Sequence, residues 1–254
     1  MSDLSGQDLV VPLELDDYEM LWSAPGVEGK SILPSRTLVG LCDDKFLLDE
    51  SFSRNGFDDL RPGDPLMGRY PYVAKRRHGV SGDGVVIVTC RAQEKELADF
   101  LSREDVFTQR FLADRFEYAA HFVIYQGRLV FQQTVRHEMP VGGLVKGEAA
   151  RTRRSRPVGP DPFVGRFMAF FEAIGYEGSA CVDYKIEDGL PRIMEINPRI
   201  GGSLLRSIND YLDASLVALG MRQVRGRVMQ GCVRQRRLWF RRARRVRCRY
   251  FKST

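Results

Sequence analysis

The sequence predicts an α+β fold, and two observations carry that prediction. Strand-like runs follow one another through turns short enough for antiparallel pairing, at Gln126-Gly127 and at Asp188-Gly189. The helical patterns between these runs are isolated, whereas a doubly wound sheet alternates strand and helix throughout.

Taken in order, VVPLEL between Leu9 and Leu15 reads as a short strand or strand end, and PGVEGKSILPS reads as loop. Cys42 to Asn55 reads as one helix. Its acidic start suits a helix N-terminus, Phe46, Leu47 and Leu48 open an apolar face, and Asn55-Gly56 closes it. Tyr72 to Lys75 is a strand, followed by the loop RRHGVSGDG and a second strand, VVIVT. Gln93 to Leu101 suggests a helix. The segments VFTQRFL, EYAAHFVIY and RLVFQQTV are then three strands, the last two joined at Gln126-Gly127. Asp161 to Ile174 reads as a helix with Pro162 in its first turn and Phe163, Phe167, Phe170 and Phe171 on an apolar stripe. A hairpin follows, SACVDYKI and PRIMEIN, and Leu204 to Leu219 reads as the last helix. No internal repeat is visible.

At 254 residues the chain can bury a real core, and 43% apolar with 28% charged residues is ordinary for a soluble protein. No apolar run reaches membrane-spanning length, and the acidic N-terminus lacks the form of a secretory signal. Five cysteines (Cys42, Cys90, Cys181, Cys232, Cys248) without metal-site spacing point to free thiols in a reducing cytoplasm. The net charge of +6 hides an asymmetry. Thirteen of the 39 basic residues and none of the 33 acidic ones lie from Met221 onward, which leaves an acidic body and an arginine-rich tail.

The most informative residues are Asp183, Glu195 and Asn197. Side chains alternate along a strand, so Glu195 and Asn197 share a face that Ile196 does not. A three-residue loop (Asp188, Gly189, Leu190) would set Asp183 opposite Glu195. Two carboxylates and a carboxamide on one patch suit Mg²⁺, with Mn²⁺ as a substitute, since Mg²⁺ takes one or two carboxylates and completes its shell with water and phosphate oxygens. A solvated hairpin face is the plainer alternative for the same pattern. Lys75, followed by a glycine-bearing loop, suits phosphate binding, although the loop does not match the P-loop pattern. His78, His121 and His137 are too scattered to form a metal cluster.

The order of these features resembles the ATP-grasp superfamily, in particular its carboxylate–amine ligases and the ATP-binding domains of the carbamoyl phosphate synthase large subunit. The resemblance runs from about Leu41 to Leu219, and EINPR with its upstream aspartate is its specific part. It implies two α+β lobes, about 41–107 and 108–220, whose antiparallel sheets enclose ATP. It also implies roles. Lys45 and Lys75 would contact the ATP phosphates, with the loop from His78 through Ser81 and Gly82 to Gly84 folding over them. Gln109, Arg110, Phe111 and Leu112 match the hinge that holds adenine, and Glu117 the acid that accepts from the ribose hydroxyls. Asp183, Glu195 and Asn197 match the Mg²⁺ ligands, and Arg199 would face the transferred phosphate, so Lys75 and Arg199 are the catalytic pair. The activity implied is an ATP-dependent ligase that joins a carboxylate to an amine through an acyl phosphate, releasing ADP and phosphate.

Relatives of this kind carry a larger N-terminal domain, of which residues 1–40 resemble a remnant. That implies a minimal enzyme, an inactive one, or a site completed by a second copy or a partner subunit. Cys181 also stands where some relatives place an arginine. Arg151, Arg153 and Arg154 are candidates for contact with an anionic substrate. The tail from Met221 to Thr254 admits a solvated extension, a nucleic-acid or acidic-lipid contact, or docking onto an acidic partner. Two other functions therefore stay open at this stage: a catalytically lapsed nucleotide-binding scaffold, and an RNA- or membrane-associated module acting through the tail.

Overall fold

Two antiparallel sheets organise the chain, of which the computed structural model describes residues 4, 6–79, 82, 84–140 and 154–222. The arginine-rich tail beyond Arg222, and Arg151 and Arg153, lie outside the described residues.

The smaller sheet has the order β2-β1-β3, from β1 (Tyr72–Arg76), β2 (Val85–Val88) and β3 (Val106–Arg110). Lys75 on its central strand lies opposite Val85 on one side and Phe107 on the other. Its core is thin. Tyr72, Ala74 and Val88 are buried, with Leu97, Phe100, Leu101 and Val106 packed against them. The helix expected over Gln93–Leu101 is two short ones, Arg91–Glu96 and Ala98–Leu101, parted at Leu97, whose side chain packs on this core.

The larger sheet has the order β6-β5-β4-β7-β8. Its strands are β4 (Phe116–Tyr125), β5 (Arg128–Glu138), β6 (Arg154–Pro157), β7 (Gly178–Glu187) and β8 (Leu190–Asn197). One face carries Phe122, Ile124, Val182, Tyr184, Ile193 and Ile196 against Leu48, Phe52, Phe167, Phe170 and Phe171. Those partners come from α3 (Lys45–Arg54) and α6 (Val164–Ala173). Phe52 and Phe170 are 4.4 Å apart centroid to centroid, and Phe171 meets Phe122 edge-on at 5.5 Å. Aromatic packing of this kind buries a large area and adds about 0.5–1.5 kcal/mol per pair beyond it. The opposite face, at the far end of the sheet, holds Val123 against Ile200, Leu204 and Tyr211.

Several boundaries differ from those read off the sequence, each for a local reason. The helix expected from Cys42 is two: α2 (Arg36–Asp43) ends, and Asp44, in extended conformation, caps α3 by accepting from the Phe46 and Leu47 amides at 3.1 Å. The acidic pair is thus a junction. Pro162 precedes α6 because Asp161 spends its carboxylate on the Phe163 amide, Thr134 and Tyr184. The last helix begins as a 3-10 turn, Gly202–Ser207, before α7 (Ile208–Ala218). No strand forms over Leu9–Leu15. The Leu13 and Glu14 amides donate to the Asp17 carboxylate (2.8 and 2.9 Å) at the start of α1 (Asp17–Ser23), so a ladder cannot use them. No described cysteine is in a disulfide, and no helix among the described residues is long and apolar enough to cross a membrane.

Candidate active site

The β7–β8 hairpin closes through a two-residue turn in which Asp188 (φ 52°) and Gly189 (φ 75°) both adopt left-handed geometry. The three-residue loop expected from the sequence is therefore absent, yet Asp183 does lie opposite Glu195. A bulge restores the register. Tyr184 pairs with Ile193 and Asp183 with Glu195, so Met194 is the additional residue. The bulge also places the Met194 carbonyl where Lys75 Nζ donates to it at 2.9 Å, across from the other sheet.

At this end of the cleft the charges converge. Asn197 Nδ2 donates to Asp183 Oδ2 at 3.3 Å and to Glu195 Oε1 at 3.2 Å. Lys45 Nζ stands 3.8 Å from Glu195 Oε2 and donates to the Gly79 carbonyl at 2.7 Å. Lys75 is 6% exposed, and its ammonium lies 5.1 Å from the Phe107 ring centroid. Burial draws the Lys75 pKa down to about 8, with Glu195 opposing the shift and Lys45 adding to it. Burial would raise the Glu195 carboxyl, but Lys45, Lys75 and the hydrogen bond from Asn197 together hold it below the usual range. An anion between two cations results.

The cleft, about 780 Å³ counted to its open mouth, continues away from these charges between the two sheets. Val73, Val85, Pro62, Phe111, Leu112 and Met194 line it, and Glu117, 5% exposed, stands in its wall. Gln109 and Arg110 line it too, but both side chains are engaged elsewhere. Gln109 donates to Asp49 at 2.7 Å, and Arg110 Nε to the Pro62 carbonyl at 2.9 Å. This leaves backbone and apolar surface to meet a ligand.

In the glycine loop, Gly79 and Gly82 line the cleft, whereas Gly84, turned to φ +68° against the Arg76 side chain, does not. His78 points away: its Nδ1 is 2.8 Å from Asp43 Oδ2. Ser81 lies outside the described residues. Arg199 and Asn197 line a small recess that shares Lys45, Gly79 and Glu195 with the main cleft. Arg199 Nη1 donates to the Ile200 carbonyl at 3.0 Å.

Among the lining residues that the sequence reading does not single out are Lys185 and Met194. Lys185 donates to the Leu112 carbonyl at 3.2 Å, and burial lowers its pKa against the pull of Glu117 and Asp114. Its position two residues past Asp183 on one strand was the available signal. Met194 had none, because a bulge leaves no mark on a single sequence.

Among the described residues no three His, Cys, Asp or Glu side chains cluster to hold a metal. Two carboxylates converge with the Asn197 amide nitrogen bonded between them, and with that amide turned over the hard, oxygen-rich set fits a Mg²⁺ that completes its shell with water and phosphate. The same donors would serve Mn²⁺.

A family model described as an ATP-grasp domain matches residues 42–203. The fold is similar to that of a D-alanine–D-alanine ligase from Bacillus anthracis (TM-score 0.55, 19% identity, 84% of this chain and 76% of that one). It is also similar to a phosphoribosylamine–glycine ligase from Thermotoga maritima (0.58, 18%, 76% and 57%). An L-amino acid ligase from Bacillus licheniformis matches at 0.51 and 20%, over 65% of this chain. This chain spans 42% of that ligase's length. No curated protein sequence matches significantly.

Proposed function

The chain belongs to the ATP-grasp family, and on that premise we propose that it is an ADP-forming ligase joining a carboxylate to an amine or similar nucleophile. The observation that carries this reading is the meeting of Asp183, Glu195 and Asn197 with Lys45 and Lys75 at the charged end of a cleft whose other end is apolar. An adenine fits the apolar end, with its edge on the backbone of 109–112. Glu117 would accept from the ribose hydroxyls. The triphosphate would then point at the lysines.

In the first step an oxygen of the substrate carboxylate attacks the γ-phosphorus. An O–P bond forms, the bond to the β-phosphate oxygen breaks, and ADP leaves. In the second, the amine attacks the carbonyl carbon of the acyl phosphate, the C–O bond to phosphate breaks, and the nitrogen gives up its proton to solvent. Lys75 and Lys45 supply fixed positive charge where phosphate charge accumulates, and their burial strengthens it. Arg199, which lines the adjoining recess, would meet the phosphate as it transfers. The Gly79 and Gly82 backbone covers the site without side-chain bulk. Asp183, Glu195 and Asn197 would hold Mg²⁺, which when bound neutralises and orients the β- and γ-phosphates. No enzyme nucleophile is needed.

Hydroxylamine, a small amine that traps acyl phosphates as hydroxamates, tests the reading without knowledge of the natural amine. Incubation with Mg·ATP, hydroxylamine and a panel of amino acids, hydroxy acids and short peptides is expected to give ADP and hydroxamate in equal amounts with at least one carboxylate. ADP release with none of them, and no hydroxamate, would refute it.

A further inference from the structure

The hairpin that carries Asp183, Glu195 and Asn197 is closed at one end by its turn; its other end, where Cys181 pairs with Asn197, opens toward Gly178 and Pro198. There the N-terminal segment crosses both strands. Tyr18 on α1 is 1% exposed, and its hydroxyl donates to the Pro198 carbonyl, 180 residues away in sequence. The Tyr18 ring stacks on Trp22 (5.2 Å, 28°), and Trp22 Nε1 donates to the Pro34 carbonyl at 3.1 Å. The Arg36 guanidinium covers the Trp22 ring at 4.6 Å. Pro34 in turn seats against Gly178, the first residue of β7. A Cβ there would stand 2.5 Å from Pro34 Cδ, and the backbone adopts φ +114°. The chain of contacts runs Pro198–Tyr18–Trp22–Pro34–Gly178, from the end of β8 to the start of β7.

What this controls follows from the residue it grips. Proline fixes its own φ, so the soft torsion within Pro198 is its ψ, which swings the Pro198 carbonyl and the Pro198–Arg199 peptide. A buried hydroxyl bonded to that carbonyl sets the torsion and thereby the directions in which Asn197 and Arg199 leave the chain. Both line the recess at the charged end of the cleft.

We infer that Asp17–Arg36 is a clasp on the open end of the β7–β8 hairpin and that Tyr18 is a positioning residue, acting through Pro198 on Asn197 and Arg199. The clasp lies wholly before the matched domain, which begins at residue 42. As a statement about catalysis the inference rests on the ligase reading; as a statement about the hairpin it does not.

The test compares Tyr18→Phe with Tyr211→Phe in the full chain. Tyr211→Phe also removes a buried hydroxyl bond, to Ser179 at 2.7 Å, while the ring that packs beside Ile200 is kept, so it controls for the loss of a buried hydroxyl near the same strands. The first readout is hydrogen exchange at the Arg199 and Ile200 amides without ligand. The second is the Mg²⁺ concentration giving half of the thermal stabilisation by ATP. Tyr18→Phe is expected to speed exchange at those amides and raise the Mg²⁺ midpoint about tenfold, the scale on which groups orienting metal ligands act. Tyr211→Phe is expected to leave both at wild-type values. Unchanged exchange in Tyr18→Phe, or equal changes in the two variants, would overturn the clasp. If ATP fails to stabilise even the wild type, the ligase reading falls, and the exchange comparison still decides the clasp.

Discussion

The two sheets that border the cleft differ in how firmly they are built. The five-stranded sheet belongs to a cluster of seventeen buried residues, including Phe52, Phe122, Phe167, Phe170, Phe171 and Tyr184. The three-stranded sheet has three: Tyr72, Ala74 and Val88. Under the proposed function, chemistry divides along the same line. Asp183, Glu195, Asn197 and Glu117, whose lone pairs must be aimed, project from the thick sheet. Lys75 and the glycine loop, a point charge and a cover, ride on the thin one. Geometry that must be held to fractions of an ångström is placed where packing fixes rotamers, and groups that tolerate motion sit where opening costs less.

The strongest challenge to this contrast is truncation of the two cores. Phe170→Ala is expected to cost about 3–5 kcal/mol in denaturant unfolding, as a large buried aromatic does. Val88→Ala should cost about 2 kcal/mol on the scale of buried methylenes. Equal costs would break the comparison. Native-state hydrogen exchange sharpens it: amides of β1 and β2 should exchange by local opening well before those of β4 and β7, whereas a single common opening energy would show one rigid unit.

A third expectation concerns Lys75, the thin sheet's contribution to the charged end. Its folded pKa of about 8 lies below the ordinary value of 10.5, so the unfolded chain holds more protons between those values. Burial of Lys75 therefore lowers stability below pH 8, and the loss is relieved as pH rises from 8 toward 10.5. Nucleotide binding moves the opposite way. Phosphate prefers the protonated amine, so affinity for Mg·ATP should hold steady below pH 8 and weaken above it. Calorimetry in buffers of different ionisation enthalpy should detect the proton taken up. Binding that does not change between pH 7 and 9.5 would remove Lys75 from the phosphate site. The smallest effect belongs to His78, which does not line the cleft and whose half-exposed ring pairs with Asp43 at the adjoining recess. His78→Ala should change stability by less than about 1 kcal/mol and leave ATP affinity close to wild type. A large loss of affinity would instead put this ring on the nucleotide.

Much of this was legible in the sequence, though not always for the right reason. Every strand of the two sheets except β6 was readable from apolar runs and turn residues, because antiparallel hairpins are local and their turns have residue preferences. The opposition of Asp183 and Glu195 was foreseen from a three-residue loop; a two-residue turn and the Met194 bulge produce it instead. Loop length and bulge each shift register by one, and a sequence shows only their combined effect. Residues 9–15 looked extended because Val10 and Val11 are apolar, but Asp17 takes the amides a ladder would need. Tyr18 gave no signal at all, since its partner is 180 residues distant.

The most direct test of the central claim is calorimetric titration of ATP, with Mg²⁺ and with EDTA, into the wild type and Glu195→Gln. That substitution keeps the shape of the side chain and removes the charge that Lys45 and Lys75 surround. Mg²⁺-dependent binding is expected of the wild type and a loss of about tenfold or more in the variant, the scale set by removing a ligand-sphere interaction. No binding by the wild type at millimolar ATP, or a variant that binds as tightly with the same Mg²⁺ dependence, would contradict it.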